Sequence, residues 1–107
     1  MEFHKLINRA MDLRSQYEKK EKQLYGAPSS GEDLARGFAG DVNNLVRLIA
    51  AKPGRHENID RTEKIGAQLS HSLWSIIVLA RLYDIELEQA FMETMDRLEN
   101  HLLETQE

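Results

Sequence analysis

Two pairs of polar residues, each spaced by three positions, are the candidates for chemistry: Asp41 with Asn44, and Gln68 with His71. Residues three apart on a helix share one face, so the two side chains of each pair would point the same way. Carboxylates with this spacing on facing helices of a bundle can hold a metal in the core. The faces of the second and third predicted helices that carry these pairs are therefore the places where a site could lie, and Asp41 is the one carboxylate among the four residues.

Each pair also has a plainer interpretation. Asp41 is either part of a cation or phosphate site or one half of an ion pair, for which the candidate cations are Arg47, Lys64 and Arg61. Gln68 and His71 could hydrogen-bond Asp41 and Asn44 as a neutral polar network in place of a metal site. A third option is a metal site that includes His71, whose imidazole suits transition metals better than magnesium.

Other residues have both a binding and a structural interpretation. Trp74 lies one helical turn beyond His71 and is either a core residue or a platform on which a nucleotide base could stack. Three cations near the end of the second predicted helix could contact phosphates or form a solvated face; they are Arg47, Lys52 and Arg55. An acidic series on the last helix has metal-like spacing but is more simply an exposed face; it consists of Glu93, Asp96 and Glu99.

The composition limits the classes of function. The 107 residues suit one domain, 1–107, and 41% hydrophobic with 30% charged residues is typical of a folded, helix-rich chain. A net charge of −4 does not favour binding to long nucleic acid. The chain has no cysteine, which is compatible with a reducing cytosol. It has neither an apolar N-terminal leader nor a run of 18 apolar residues, so we expect a cytoplasmic protein without a membrane span.

The spacing of apolar residues predicts four helices. Their predicted ranges are 2–24, 31–52, 60–83 and 87–103. Glycine, proline and serine between Tyr25 and Gly31 end the first helix, and Pro53 follows the second. Capping-box patterns, in which residues three apart satisfy each other's backbone, mark two helix starts; they are Ser30 with Asp33, and Asp60 with Glu63.

The third predicted helix is apolar around nearly its whole circumference between Leu69 and Tyr83. Such a helix must be buried in a core or an interface, since leaving half of its apolar surface in water would cost more than the stability margin of a small domain. Gly37 and Gly40, one turn apart in the second helix, suggest close approach of the third helix. We therefore expect a four-helix bundle completed by dimerisation.

Parts of the sequence resemble the MazG-like family of all-α nucleoside triphosphate pyrophosphohydrolases. The resemblance spans residues 32–102 and rests on three stretches: Gly37-Phe-Ala-Gly-Asp-Val-Asn-Asn-Leu45, Gln68-Leu-Ser-His-Ser-Leu-Trp-Ser-Ile-Ile-Val-Leu-Ala80, and Tyr83-Asp-Ile-Glu-Leu-Glu-Gln-Ala-Phe91. It implies magnesium bound by Glu-Glu-x-x-Glu on one helix and Glu-x-x-Asp on the next, with hydrolysis between the α- and β-phosphates. It also implies a homodimer, with a tetramer as the alternative.

The metal motif of that family falls on five positions of this chain: Gly40, Asp41, Asn44, Gln68 and His71. Only Asp41 keeps a carboxylate, whereas magnesium needs several hard oxygen ligands. Trp74 and Arg47 are the candidate nucleotide contacts. An intact magnesium site would need substitute ligands beside Asp41, and the candidates are Glu32, Asp33, Asp60 and Glu63.

Three functions follow from these observations. The first is a MazG-like protein whose magnesium site has weakened or been lost and which binds a nucleotide or acts as an oligomeric interaction module. The second is an active, magnesium-dependent pyrophosphohydrolase that releases a nucleoside monophosphate and pyrophosphate. The third is a purely structural helical bundle. Magnesium is expected as a cofactor only if the site still functions.

Overall fold

The computed structural model describes residues 2–51 and 58–105, which form four α-helices and no strand. The helices are α1 (Phe3–Tyr25), α2 (Gly31–Ala50), α3 (Asn58–Leu82) and α4 (Leu87–Glu104). Each begins and ends within two residues of its predicted bounds. The all-α fold that the apolar spacing predicts is confirmed, as is the number of helices in the described ranges.

The start of α2 is capped as the sequence predicts. The Asp33 backbone N–H donates to Ser30 Oγ, and the Ser30 N–H donates to Asp33 Oδ2, both at 3.1 Å. These hydrogen bonds hold the pKa of Asp33 below its ordinary value, because they stabilise the charged carboxylate. The second predicted cap is wrong, because α3 begins at Asn58 and Asp60 lies inside its first turn.

Two helices end in residues with positive φ, a conformation that closes the last turn. Gly26 follows α1 with φ of 83°, and its N–H donates to the Lys22 carbonyl oxygen at 3.0 Å. Asp84 follows α3 with φ of 53°, and the next residue, Ile85, donates its N–H to the Ala80 carbonyl oxygen at 2.8 Å. The tight turn at Asp84 sets the direction in which α4 leaves the bundle.

Helices α2 and α3 pack side by side as an antiparallel pair. At one end Arg61 of α3 donates from Nε to the Leu48 carbonyl oxygen at 2.8 Å and from Nη2 to the Ile49 carbonyl oxygen, so it caps the last turn of α2. At the other end Gly31 lies against Tyr83, and a Cβ at this glycine would collide with the tyrosine hydroxyl. Contacts at both ends therefore fix the register of the pair.

Helix α1 packs on α3 through a tryptophan. The Trp74 indole N–H donates to the Ala10 carbonyl oxygen at 3.1 Å, and its ring lies 5.8 Å from the ring of Tyr17. Trp74 is half-buried and its polar atom is already bonded within the chain. This placement gives it a role in packing α1 onto α3.

A buried arginine joins α1 to the connection before α2. Arg14 is 3% exposed, and its Nη2 donates to the Ser29 carbonyl oxygen at 2.8 Å. Its Nε lies 3.1 Å from Glu18 Oε1, and its Nη1 lies 3.5 Å from Glu21 Oε1. Glu21 also accepts hydrogen bonds from the N–H and the hydroxyl of Ser29. Two carboxylates and a backbone carbonyl thus offset the burial of this charge.

The apolar core is small because α1 and α2 cover only part of α3. Its buried apolar residues among those described are Ala10, Ile77, Val78 and Ala80, of which Val78 is fully buried. Elsewhere on α3, Leu69 is 52% exposed and Leu73 is 41% exposed. One chain therefore does not supply the burial that the sequence of α3 demands.

Helix α4 contradicts the expected packing most clearly. Its sequence pattern predicts an inward face of apolar residues, yet the four large ones on that face are all exposed: Phe91, Met95, Leu98 and Leu102. Every residue from 91 to 105 is exposed, and only Leu87 and Ala90 are half-buried. The prediction that these residues face inward is therefore wrong within a single chain.

The segment Asp60–Leu82 has the length and the mean hydropathy, 1.2, of a candidate membrane span. The core helices of water-soluble bundles meet the same criteria. This segment packs against α1 and α2 along one side, so its composition alone is weak evidence for a membrane.

Replacing Glu21 with glutamine tests the cluster around Arg14. Hydrogen bonds from Ser29, together with the Arg14 charge, hold the pKa of Glu21 below its ordinary value of 4.5. The charged cluster therefore contributes stability above that value and loses it as the pH falls through the lowered pKa. We expect Glu21→Gln to cost about 1–2 kcal/mol in urea unfolding at neutral pH.

The difference between this variant and the wild type should shrink in acid. Glu99→Gln, at an exposed position of α4, is the control and should change little. An unfolding free energy equal to that of the wild type at neutral pH would contradict the role assigned to the cluster.

Two glycines should respond to alanine in opposite directions. Gly26→Ala should destabilise the protein by about 1–2 kcal/mol, because its positive φ strains any residue with a Cβ. Gly37→Ala should stabilise it by about 0.5–1 kcal/mol, since a Cβ there meets no atom within 4 Å and alanine favours the helix. Thermal unfolding of both variants measures the two changes in stability. Midpoint shifts of equal size and sign would contradict the different roles given to the two glycines.

Candidate functional site

The candidate site lies in an open groove between α2 and α3, with a volume of about 400 Å³. Asn44 and Gln68, two of the positions that the sequence selects, both line it. Arg47 and Lys64 line the same cavity, and neither forms an ion pair with a described residue. The remaining lining is small or apolar and consists of Leu48, Ala51 and Ala67.

Gln68 carries the clearest polar signal in this groove. Its Oε1 is buried and has no hydrogen-bond partner within the described chain. A buried, unbonded amide oxygen costs about 1–3 kcal/mol, so a donor from a ligand or from water would be favourable here. Arg47 and Lys64 give the groove positive charge, which suits a small anion, whereas Gln68 Oε1 is an acceptor and suits a donor such as water.

His71 does not join this groove. It is exposed and lines a separate cavity of about 410 Å³ between α1 and α3. Trp74, Tyr17 and Arg14 line that cavity as well. Gln68 and His71 share a face in the helical repeat, but the crossing of α1 over α3 leaves them facing different neighbours.

Asp41 is half-buried and lines neither cavity. It forms no ion pair with any described residue, and one of its expected partners, Arg61, instead bonds carbonyl oxygens at the end of α2. The structure thus does not gather Asp41, Asn44, Gln68 and His71 around one cavity.

Gly37 and Gly40 leave open space beside α2. A Cβ at either position would meet no neighbouring atom within 4 Å. The explanation of these glycines by close approach of α3 is therefore wrong within a single chain. Of the five motif positions, Gly40 offers no side chain at all for a ligand.

The substitute metal ligands are occupied or dispersed. Glu32 pairs with Arg36 at 2.6 Å, and Asp33 caps α2. Asp60 and Glu63 are exposed on the first turns of α3. Within residues 2–51 and 58–105, no three His, Asp or Glu side chains lie close enough together to hold a metal. This donor set does not fit magnesium, which prefers several converging oxygen ligands.

Two of the cations expected near phosphates, Lys52 and Arg55, lie outside the described residues. The sequence suggests Lys64 only as an ion-pair partner of Asp41, whereas the structure places it in the groove with Arg47. Its position three residues after Arg61 on α3 gives no sign of this role. Only the pairing of α2 with α3 brings it opposite Arg47.

A third cavity, of about 340 Å³, lies where α1, α3 and the start of α4 meet. Its polar lining carries charges of both signs and consists of His4, Asn8, Asp12, Arg81, Glu86 and Glu88. No spacing pattern groups these residues, since they come from three parts of the chain. The mixture of charges favours no single class of ligand.

Comparison with known proteins identifies no relative of this chain. No family model matches it, and neither the curated proteins nor the solved structures include a match.

Proposed function

We propose that this chain is a MazG-like helical bundle that acts as a self-associating interaction module in the cytoplasm, with its magnesium site weakened or lost. The proposal takes the family from the sequence resemblance, in which four of five metal-motif positions lack a carboxylate. The observation that carries it is the amount of apolar surface that one chain leaves uncovered. A homodimer is the simplest assembly that covers this surface.

The surface area supports self-association. A compact monomer of 12.4 kDa exposes about 6,100 Å². This chain exposes 8869 Å², an excess of about 2,700 Å². Obligate homodimers bury about 1,000–2,500 Å² on each partner, so the excess is large enough for one such interface. Because the excess is somewhat larger than that range, it also leaves room for a tetramer.

The dimensions of the chain lead to the same conclusion. Its radius of gyration is 17.4 Å, whereas a compact chain of this length has a radius of about 13 Å. The apolar residues of α4 account for part of this extension, because they lie away from the α1–α3 core. A second chain would give them the burial that their own chain does not.

Weak nucleotide binding is the second candidate, and the groove between α2 and α3 favours it. Arg47 and Lys64 supply positive charge there, and Asn44 and Gln68 supply amide groups. Arginine can bind two phosphate oxygens at once, and lysine binds phosphate as a point charge. This candidate requires no metal ion, unlike the family's hydrolytic reaction.

The dimer is tested by light scattering and sedimentation at micromolar concentration. We expect the mass of two chains for the wild type. Phe91→Ser with Leu98→Ser should shift the protein to a monomer, because both side chains are exposed in one chain and can be buried only by another. Circular dichroism checks that the helices persist. A monomeric wild type at micromolar concentration would overturn the proposal.

The nucleotide groove is tested by calorimetry with a non-hydrolysable nucleoside triphosphate, with and without magnesium. We expect weak binding that does not need magnesium and that falls at least fivefold in Arg47→Ala, because a phosphate contact is lost. Arg36→Ala, which removes an exposed cation outside the groove, is the control. Binding that is unaffected by Arg47→Ala would contradict this candidate.

A separate hydrolysis assay with ordinary nucleoside triphosphates distinguishes the module from an enzyme. Release of pyrophosphate from nucleoside triphosphates should be absent with magnesium present. Magnesium-dependent turnover that is abolished by Asp41→Ala would show that the metal site survives and would overturn its proposed loss.

A further inference from the structure

Helix α4 has an apolar side that its own chain does not cover. Four apolar residues recur on one side of this helix at intervals of four, three and four positions: Phe91, Met95, Leu98 and Leu102. Each is between 38% and 58% exposed. An isolated helix of 18 residues is marginal in water, so packing against another element must stabilise it.

The charges of α4 restrict what that element can be. The helix carries five carboxylates and one arginine, a net charge of −4 with His101 neutral; the carboxylates are Glu88, Glu93, Asp96, Glu99 and Glu104. A covering surface should therefore combine an apolar stripe with positive charge, since like charges would oppose its approach.

Helix α1 has this combination. It carries six basic and three acidic residues, a net charge of +3. Five of its basic residues are exposed: Lys5, Arg9, Lys19, Lys20 and Lys22. None of the five forms an ion pair with a described residue. An exposed apolar series runs along the same helix and includes Leu6, Leu13, Tyr17 and Leu24.

The other two helices do not match α4 in this way. Helix α2 has a net charge of −1 and α3 has a net charge of +1 over their described lengths. At 1.5 Å per residue, the 18 residues of α4 span about 27 Å and fit within the roughly 35 Å of α1. Charge, apolar pattern and length thus all favour α1.

The α1 of the same chain does not cover this face. Leu87 and Glu88, at the start of α4, line a cavity with Ile7 and Met11 of the first half of α1. From Phe91 onward α4 is exposed, and the three neighbouring lysines of α1 lie in its other half. The α1 helix of another molecule is the surface of matching chemistry that remains.

We propose that two copies of this chain exchange their last helices, so that the acidic α4 of each lies on the basic α1 of the other. A two-fold axis makes both contacts equivalent and closes the assembly at a dimer. The inference rests on the self-association proposed above and names the surfaces that carry it. The apolar stripes supply burial, and the opposite charges select the partner helix.

Charge reversal tests this pairing. The acidic variant set on α4 is Asp96→Lys, Glu99→Lys and Glu104→Lys, and the matching set on α1 is Lys19→Glu, Lys20→Glu and Lys22→Glu. We expect each triple variant alone to raise the dimer Kd at least tenfold at low salt. An equimolar mixture should restore a heterodimer, because each variant helix then meets its complement.

The controls separate this inference from the proposed function. Asp60→Lys with Glu63→Lys changes charge in the same direction on α3 and should leave the Kd within twofold of the wild type. The effect of the α4 set should shrink in 0.5 M salt, as screening predicts. Circular dichroism confirms folding of each variant.

Two different failures are distinguishable. A wild-type dimer that neither triple set weakens, or two weakened variants that do not recover on mixing, would overturn the exchange of α4 onto α1 and leave self-association standing. A monomeric wild type would overturn both.

Discussion

The apolar circumference of α3 is the constraint on which the rest of the structure depends. Helix α2 covers one side of it through contacts that Arg61 and Gly31 fix at the two ends. Helix α1 covers a second side through Trp74. Leu69 and Leu73 still remain about half exposed, because α1 and α2 leave another side of α3 uncovered. The proposed self-association thus rests on the apolar sequence of α3 and on the exposed face of α4.

The Arg14 cluster shows how a small core holds α1 in place. Burial of a lone guanidinium would be unfavourable, so the position is tolerated only because Glu18, Glu21 and the Ser29 carbonyl oxygen surround it. Since Ser29 belongs to the connection before α2, the same cluster fixes the path between the two helices. A polar network here orders a part of the bundle that apolar burial leaves weak.

The features that the sequence predicted correctly are those that depend on residues close together in the chain. Helix bounds and the Ser30 capping box follow from local spacing and hydrogen bonding. The direction of α4 depends on the turn at Asp84, whose positive φ is not evident from the residue type. For the same reason Asp41 and His71 could not be placed: which cavity a side chain meets depends on how helices cross, and periodicity within one helix does not contain that information.

In the proposed dimer, the exposed α4 would make folding depend on protein concentration. Hydrogen bonds join α1 to α3 at Trp74 and α2 to α3 at Arg61, whereas every residue of α4 beyond Ala90 is exposed in its own chain. In the proposed dimer, α4 gains stability only when a second copy is present, so association and ordering of this helix become one equilibrium. A groove that binds anions weakly, formed by α2 and α3 alone, would be independent of that equilibrium. The two proposed properties therefore occupy separate parts of the chain, and loss of one need not remove the other.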